Sequence, residues 1–474
     1  MKKLSVILFF PLAFLLCPHF CEAQYKVLLN FNDTNGKNPY LGAPVVSGKT
    51  IYGTTTKGGA NGDGCVYSLD TNGRNYKDLL DFNISNGSDA SAPLLLAGNK
   101  LYGTTTMGGL NAKGCIFSLD TNGGGYKDLL DFNGVNGSRP YGGVQLCGNR
   151  LFGMTAYGGA NSVGVIYSID TNGTGFKTLL VFNGVSGSNP DGEFTILGNR
   201  LFGMTFAGGT FGEGDIFVMD TSGALISFNY ILNFSGGNGS YPLGDLTFNN
   251  GKFFGMTEEG GINAEGNIFT IDSSGNNFKD LMDFNLTDGG LPYGSLVLSN
   301  GKLYGMAQQG GLNSDGLIFS IDSTWTSFTD LYDFNGTKGS VPYGTLALSN
   351  GSFYGVAYSG GTHNDGVVFR WRDSSIETSA NTVAAKTQKV KVFPNPSNGL
   401  FTVVCHSDLP AGREISQSII EVYNVLGEKV YSQSTTHQSP ITIDLSTQPN
   451  GIYLYRLISA DGSLTGEGKL VIQR

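Results

Sequence analysis

Asp191, Glu193 and Asp245 are acids that most copies of a repeated segment lack, and hydrolytic chemistry would be sought there first. Asp191 and Glu193 open one alternating apolar run, and Asp245 opens the next. Two carboxylates about 5 to 9.5 Å apart can cleave a glycosidic bond. The plainer reading of these acids is structural or solvated. Tyr40, Tyr141, Tyr293 and Tyr343 offer a different chemistry. Tyr141, Tyr293 and Tyr343 follow prolines at the start of such runs, and Tyr40 is nearly equivalent. A tyrosine has a flat apolar face and a hydroxyl, suited to stacking on sugar or peptide. Its plainer reading is packing between repeats.

Other reactive groups are sparse. After residue 24 the histidines are His363, His406 and His437, from which no Ser-His-Asp set or zinc pair can be assembled. Gly62-Asp63-Gly64 and Asn313-Ser314-Asp315 hold oxygen ligands without the spacing of a known calcium loop. No cofactor and no metal is expected. Asp70, Asp120, Asp170, Asp220, Asp272 and Asp322 recur at one place before a turn, which fits turn capping better than catalysis. Cys65 and Cys115 share one place in successive copies, where Val165 and Leu317 also stand. A small apolar strand residue is preferred there over a disulfide.

A repeat of about 50 residues must position these groups. Tyr-Gly or Phe-Gly begins at Tyr52, Tyr102, Phe152, Phe202, Phe254, Tyr304 and Tyr354. A second phrase, fullest as Leu-Leu-Asp-Phe-Asn, places its phenylalanine at 31, 82, 132, 182, 234, 284 and 334. Each copy reads as four short strands with Asn-Gly and Gly-Gly turns, the pattern of a propeller blade. The expected fold is all-β: a seven-bladed β-propeller over 24–373, then a linker at 374–389 and a small Ig-like β-sandwich at 390–474. The chain opens on the second phrase and ends the array on the first. The strand Tyr25–Phe31 is therefore expected to pair with Val367–Trp371 and remove an open edge. The loops after second and fourth strands should share one face, where recognition is expected.

The net charge is −9 and only 14% of residues are charged, which argues against nucleic acid as a partner. Lys2 and Lys3, the apolar run Leu4–Leu16 and Cys21-Glu22-Ala23 read as a signal peptide over 1–23. No later apolar run reaches 18 residues, so no transmembrane segment is expected in the mature chain.

Leu101 to Asp120 and Leu303 to Asp322 follow the pattern L-Y-G-x-T-x-x-G-G-x-N-x-x-G-x-I-F-S-I-D, with Leu119 in place of its last isoleucine and Ala307 in place of its threonine. That pattern resembles the GloVer-type tandem repeats of secreted bacterial proteins, and the resemblance covers about 25–373. It implies a propeller-like exported array and no established activity. Pro394-Asn395-Pro396 with Gly399, Val422-Tyr423 with Gly427, and Pro449-Asn450-Gly451-Ile452-Tyr453 closely resemble the C-terminal sorting domain of the type IX secretion system of Bacteroidota. This implies the secretion machinery as partner through 390–474, and a secreted or cell-surface protein.

The leading function expected is a non-enzymatic binding or adhesion propeller. Its partner would be an extracellular glycan or protein, met by Tyr40, Tyr141, Tyr293, Tyr343, Asp191, Glu193 and Asp245 on the loop face. The alternatives are a polysaccharide-acting hydrolase or lyase and a purely structural surface protein.

Overall fold

A computed structural model describes residues 24–221, 229–322, 327–373, 389–406, 417–424, 429–436, 441–459 and 464–474. The signal peptide expected at 1–23 lies outside them. So does the expected linker, except Lys389, which already begins a strand. The chain divides into two compact units, 1–376 and 377–474.

In the first unit, the described residues form seven four-stranded antiparallel sheets, the blades of a β-propeller. One blade runs Val297–Ser299, Lys302–Ala307, Leu317–Ile321 and Phe328–Asp333, from inner strand to outer. The blade on the chain ends is assembled from both. Ala347–Ser349, Ser352–Ala357 and Val367–Trp371 are completed by Tyr25–Asn30, with Tyr25 opposite Trp371 and Asn30 opposite Val367.

The two repeated phrases are explained by what lies between blades. The phenylalanine ending each fourth-strand phrase is fully buried in all seven places. It meets the third-strand aromatic of the following blade edge-on. Examples are Phe82 on Phe117 at 5.4 Å, Phe284 on Phe319 at 5.4 Å, and Phe31 on Tyr67 at 5.3 Å across the closure. That third-strand ring in turn covers the glycine of the Tyr-Gly phrase. A Cβ on Gly305 would lie 2.5 Å from the Phe319 ring, and one on Gly53 would lie 2.3 Å from the Tyr67 hydroxyl oxygen. Only glycine leaves the ring room.

Apolar layers are accordingly shared by neighbouring blades. Phe82 and Leu79 pack with Leu101 and Leu119 of the next blade, and Leu28, Phe31 and Val368 pack with Ile51 and Leu69. An isolated blade would leave such layers wet, so stability is cooperative around the ring. The recurring polar residues serve the same end. Asp81, Asp131, Asp283 and Asp333 each accept a backbone N–H of the glycine loop of their own blade at 2.7–2.8 Å. Asn111, Asn263 and Asn313 donate to the carbonyls of Phe132, Phe284 and Phe334. Asp70 accepts from the N–H groups of Asn72 and Arg74 in its turn. His363 holds the loop place of Asn313 and is exposed beside Thr362. Cys65 and Cys115 are free and buried; burial pushes both thiols up to about 12, which makes them inert.

In the second unit, the described residues form two sheets, one of three strands and one of four. Phe401, Val403 and Ile443 of the first pack with Ile420, Val422, Tyr453 and Leu470 of the second. Among the described residues of this unit, Glu421 is a buried charge. It accepts the Tyr423 hydroxyl at 2.6 Å and pairs with Lys429 at 3.0 Å and Arg456 at 2.8 Å. The tyrosine hydrogen bond first, then Lys429 and Arg456, hold its carboxyl at about 2. Unfolded glutamate titrates near ~4.3. Stability from Glu421 is thus complete above that pH and lost as pH falls toward the folded value. Protection from hydrogen exchange in Gln417–Tyr423, taken relative to the intrinsic amide rate at each pH, is expected to fall over that window, and Glu421→Gln is expected to flatten the fall.

Candidate functional site

The inner strands are shorter than the sequence suggests, and this decides the fate of the candidate acids. Thr195–Leu197 is the inner strand of the blade that carries Asp191 and Glu193, so both acids precede it instead of opening it. Asp245 likewise precedes Thr247–Asn249. The reason is the approach of one blade to the next at the axis. A Cβ on Gly142 would lie 2.1 Å from the Gly192 carbonyl oxygen, and one on Gly244 would lie 2.3 Å from that of Gly294. Backbone so close to the next blade bonds to it rather than continuing its own ladder.

The residue after each axial glycine makes those bonds. The Glu193 N–H donates to Asp245 Oδ1 at 2.5 Å. The Asp245 N–H donates to Ser295 Oγ at 2.7 Å, and the Ser295 N–H to Thr345 Oγ1 at 2.7 Å. Glu193 itself accepts the Gly143 N–H and the Gln145 side-chain amide. Glu193 and Asp245 are therefore links in a polar stitch from blade to blade. Burial raises both carboxyls. Glu193, beside Asp245, reaches about 8. The space they line, between the axial glycines, is only ≈ 30 Å³, room for a water and not for a sugar.

Asp191 differs. It lines this constriction and also a wider cavity of ≈ 280 Å³ above it, and its Oδ1 has no hydrogen-bond partner. Burial, then the Glu258 carboxylate, pushes it up to about 8. A fraction of its surface still touches the channel, so water there relieves part of the desolvation that raises it. The cavity walls include Tyr40, Tyr141, Tyr293, Tyr157, Phe206 and Glu258. Tyr343 stands between Tyr40 and Tyr293, with ring centroids 4.7 and 4.9 Å away, and Tyr358 closes the arc 5.4 Å from Tyr343. The Tyr293 hydroxyl donates to Glu258 Oε1 at 2.6 Å. Burial raises the Glu258 carboxyl, and this hydrogen bond opposes the rise.

The structure thus gathers Tyr40, Tyr141, Tyr293 and Asp191 around one cup, with Tyr343 as a wall between two of them. Glu193 and Asp245 lie below it in the constriction. Phe206, Glu258 and Tyr358 escaped the sequence reading. All three hold one place in the repeat, just after the second strand, where other copies carry Thr56, Thr106, Ala156 and Gln308. A place that varies in kind within a strict repeat was the available signal.

The Gloeobacter/Verrucomicrobia repeat matches residues 14–217 and 197–403. The chain belongs to that repeat family. Residues 391–473 of this repeat protein match a secretion system C-terminal sorting domain, which marks it for export by the type IX system. No curated protein matches it. Among solved structures, the repeat protein is similar to a puromycin-hydrolyzing peptidase of Mycobacterium tuberculosis, at 10% identity and TM-score 0.48, covering 82% of this chain and 63% of that one. It is also similar to the β-propeller domain of the Trilobed protease from Pyrococcus furiosus, at 10% identity and TM-score 0.44, covering 71% and 96%. A third is the polysaccharide lyase Uly1, at 10% identity and TM-score 0.45, covering 71% and 90%. The repeat protein spans less than two thirds of the peptidase, and identities this low speak to the fold alone.

Proposed function

We propose that the exported propeller is a non-enzymatic binding module that takes an extracellular glycan in the tyrosine-walled cup. The observation that carries this reading is the contrast between the two spaces on the axis. The cup is open, aromatic and ≈ 280 Å³, while Glu193 and Asp245, two of the three acids sought for hydrolysis, lie in ≈ 30 Å³ and accept backbone amides. A sugar can lie on Tyr141 or Tyr293 and offer hydroxyls to Asp191. It cannot reach Glu193 or Asp245 without parting the blades. This favours binding over the hydrolase or lyase reading.

Stacking on one aromatic contributes about 0.5–1.5 kcal/mol beyond area burial. Tyr141→Ala and Tyr293→Ala are each expected to weaken glycan capture several-fold on an array of surface polysaccharides, and together to abolish it. Tyr230→Ala, at an exposed outer-strand position, is the matched control. Full capture by the double variant would remove the cup from the reading.

A further inference from the structure

The cup is unusual in pairing aromatic walls with carboxylates that lack a cation. Asp191 and Glu258 sense one another electrostatically, and neither forms an ion pair among the described residues. The Arg139 guanidinium is engaged by tyrosines, 5.6 Å over the Tyr157 ring and hydrogen-bonded to Tyr141. Tyr293 supplies Glu258 with one hydrogen bond, and Asp191 Oδ1 has none. Two acids placed together among tyrosines cost stability unless something positive arrives. Aromatic faces attract a cation and do not repel it.

We propose that the glycan recognised here carries an amino sugar with a free ammonium group, which enters the cup between Asp191 and Glu258. This rests on the glycan reading above and specifies its charge. A divalent metal ion is a poorer occupant, because it needs six or more oxygens and gains little from tyrosine rings. A cup of ≈ 280 Å³ falls at the lower end of small-molecule pockets, about 300 Å³, and so suits one such residue at a time. Asp191 is the acid at a place where other copies carry Tyr or Leu before the axial glycine, as at Tyr141 and Leu243. Burial that holds both carboxyls above their usual range is relieved when the cation binds.

The test is calorimetric titration of the full mature chain with three probes: a tetramer of glucosamine, the same tetramer fully N-acetylated, and tetralysine. The glucosamine tetramer is expected to bind at least about tenfold more tightly than the acetylated one, a gap of ~1.4 kcal/mol. Asp191→Asn and Glu258→Gln should each weaken the glucosamine tetramer more than the acetylated one and so close that gap. Both replacements preserve shape and remove an ionisable group, and a cooperative thermal melt no lower than that of the native chain will show that they fold. Equal binding of the two tetramers by the native chain would overturn the ammonium assignment and leave the glycan reading standing. Binding of neither would overturn both. Tighter binding of tetralysine would keep the cation chemistry and overturn the sugar as its bearer.

Discussion

Deleting Tyr25–Phe31 is expected to abolish the cooperative melting of the propeller. Tyr25, Leu28 and Phe31 are buried in two different layers, one on each side of the blade that joins the chain ends. Removing a buried Leu costs about 2–5 kcal/mol and a buried Phe about 3–5 kcal/mol. The sum reaches the whole stability of a typical domain, about 5–15 kcal/mol. The deletion also strips Val367–Trp371 of its outer partner and bares a strand edge. Circular dichroism should show a broad, low transition, and gel filtration should show association. Phe31→Ala alone should lower stability by about 3–5 kcal/mol. Adding a peptide of residues 24–32 to the deleted chain should restore a sharp transition by strand addition. An unchanged melting curve in the deleted chain would mean that the ring does not depend on this pairing.

Asp215→Val is expected to stabilise the protein, against the usual direction of core substitutions. Asp215 is only 1% exposed, and neither carboxylate oxygen has a hydrogen-bond partner. Its place in the repeat is held elsewhere by Cys65, Cys115, Val165, Asn267, Leu317 and Val367, so the pocket already accepts valine. Asn267 shows what a polar residue needs there: its Oδ1 accepts the Thr257 hydroxyl at 2.8 Å and its amide donates to Asp280. In the blade of Asp215, Tyr230 stands where Asp280 would be, opposite the third strand in the same register. Burial pushes Asp215 up to about 7. The gain for Asp215→Val should be ~2 kcal/mol near neutral pH, since an unpaired buried polar group costs about 1–3 kcal/mol by mutation.

The pH dependence has a definite sign. Unfolded aspartate titrates near ~3.9. The folded chain holds its proton to a higher pH, so stability associated with Asp215 is complete below that value and lost as pH rises through about 7. Asp78, Asp128 and Asp330, raised to about 6 mainly by burial, slope the same way. The informative quantity is therefore the difference between native chain and variant in denaturant melts at pH 4 and pH 8. That difference should be small in acid and largest in base. A variant less stable than the native chain at both pH values would show that Asp215 has a partner that its geometry conceals.

Much of the architecture was legible in order and spacing. The alternation, the Asn-Gly and Gly-Gly turns and the copy number of two short phrases pointed to an all-β propeller, and the proline-asparagine-proline opening pointed to the sorting tail. The site was legible in part. Tyr141 and Tyr293 stood out because they share a repeat position near the axis, with Tyr40 nearly equivalent, and the fold brings them to one cup. Glu193 and Asp245 stood out as acids that most copies lack, and the fold gives them a different task. Two residues apart in sequence, Asp191 and Glu193 face different surroundings: one an open cup, the other the amide of the adjoining blade.

What the sequence determined by itself is the repeating unit, because strand period, turn chemistry and the glycine beneath each aromatic ring act within or between adjacent copies. It also determined the address of the chain through its tail. What only the tertiary structure decided is the meaning of the positions near the axis. There, backbones from separate copies approach until a single methyl group would not fit, and the width left over sets which carboxylates a ligand can touch. No local pattern encodes that width. It arises from closing the whole ring, and it separates the stitch of Glu193 and Asp245 from the cup of Asp191, Glu258 and the tyrosines.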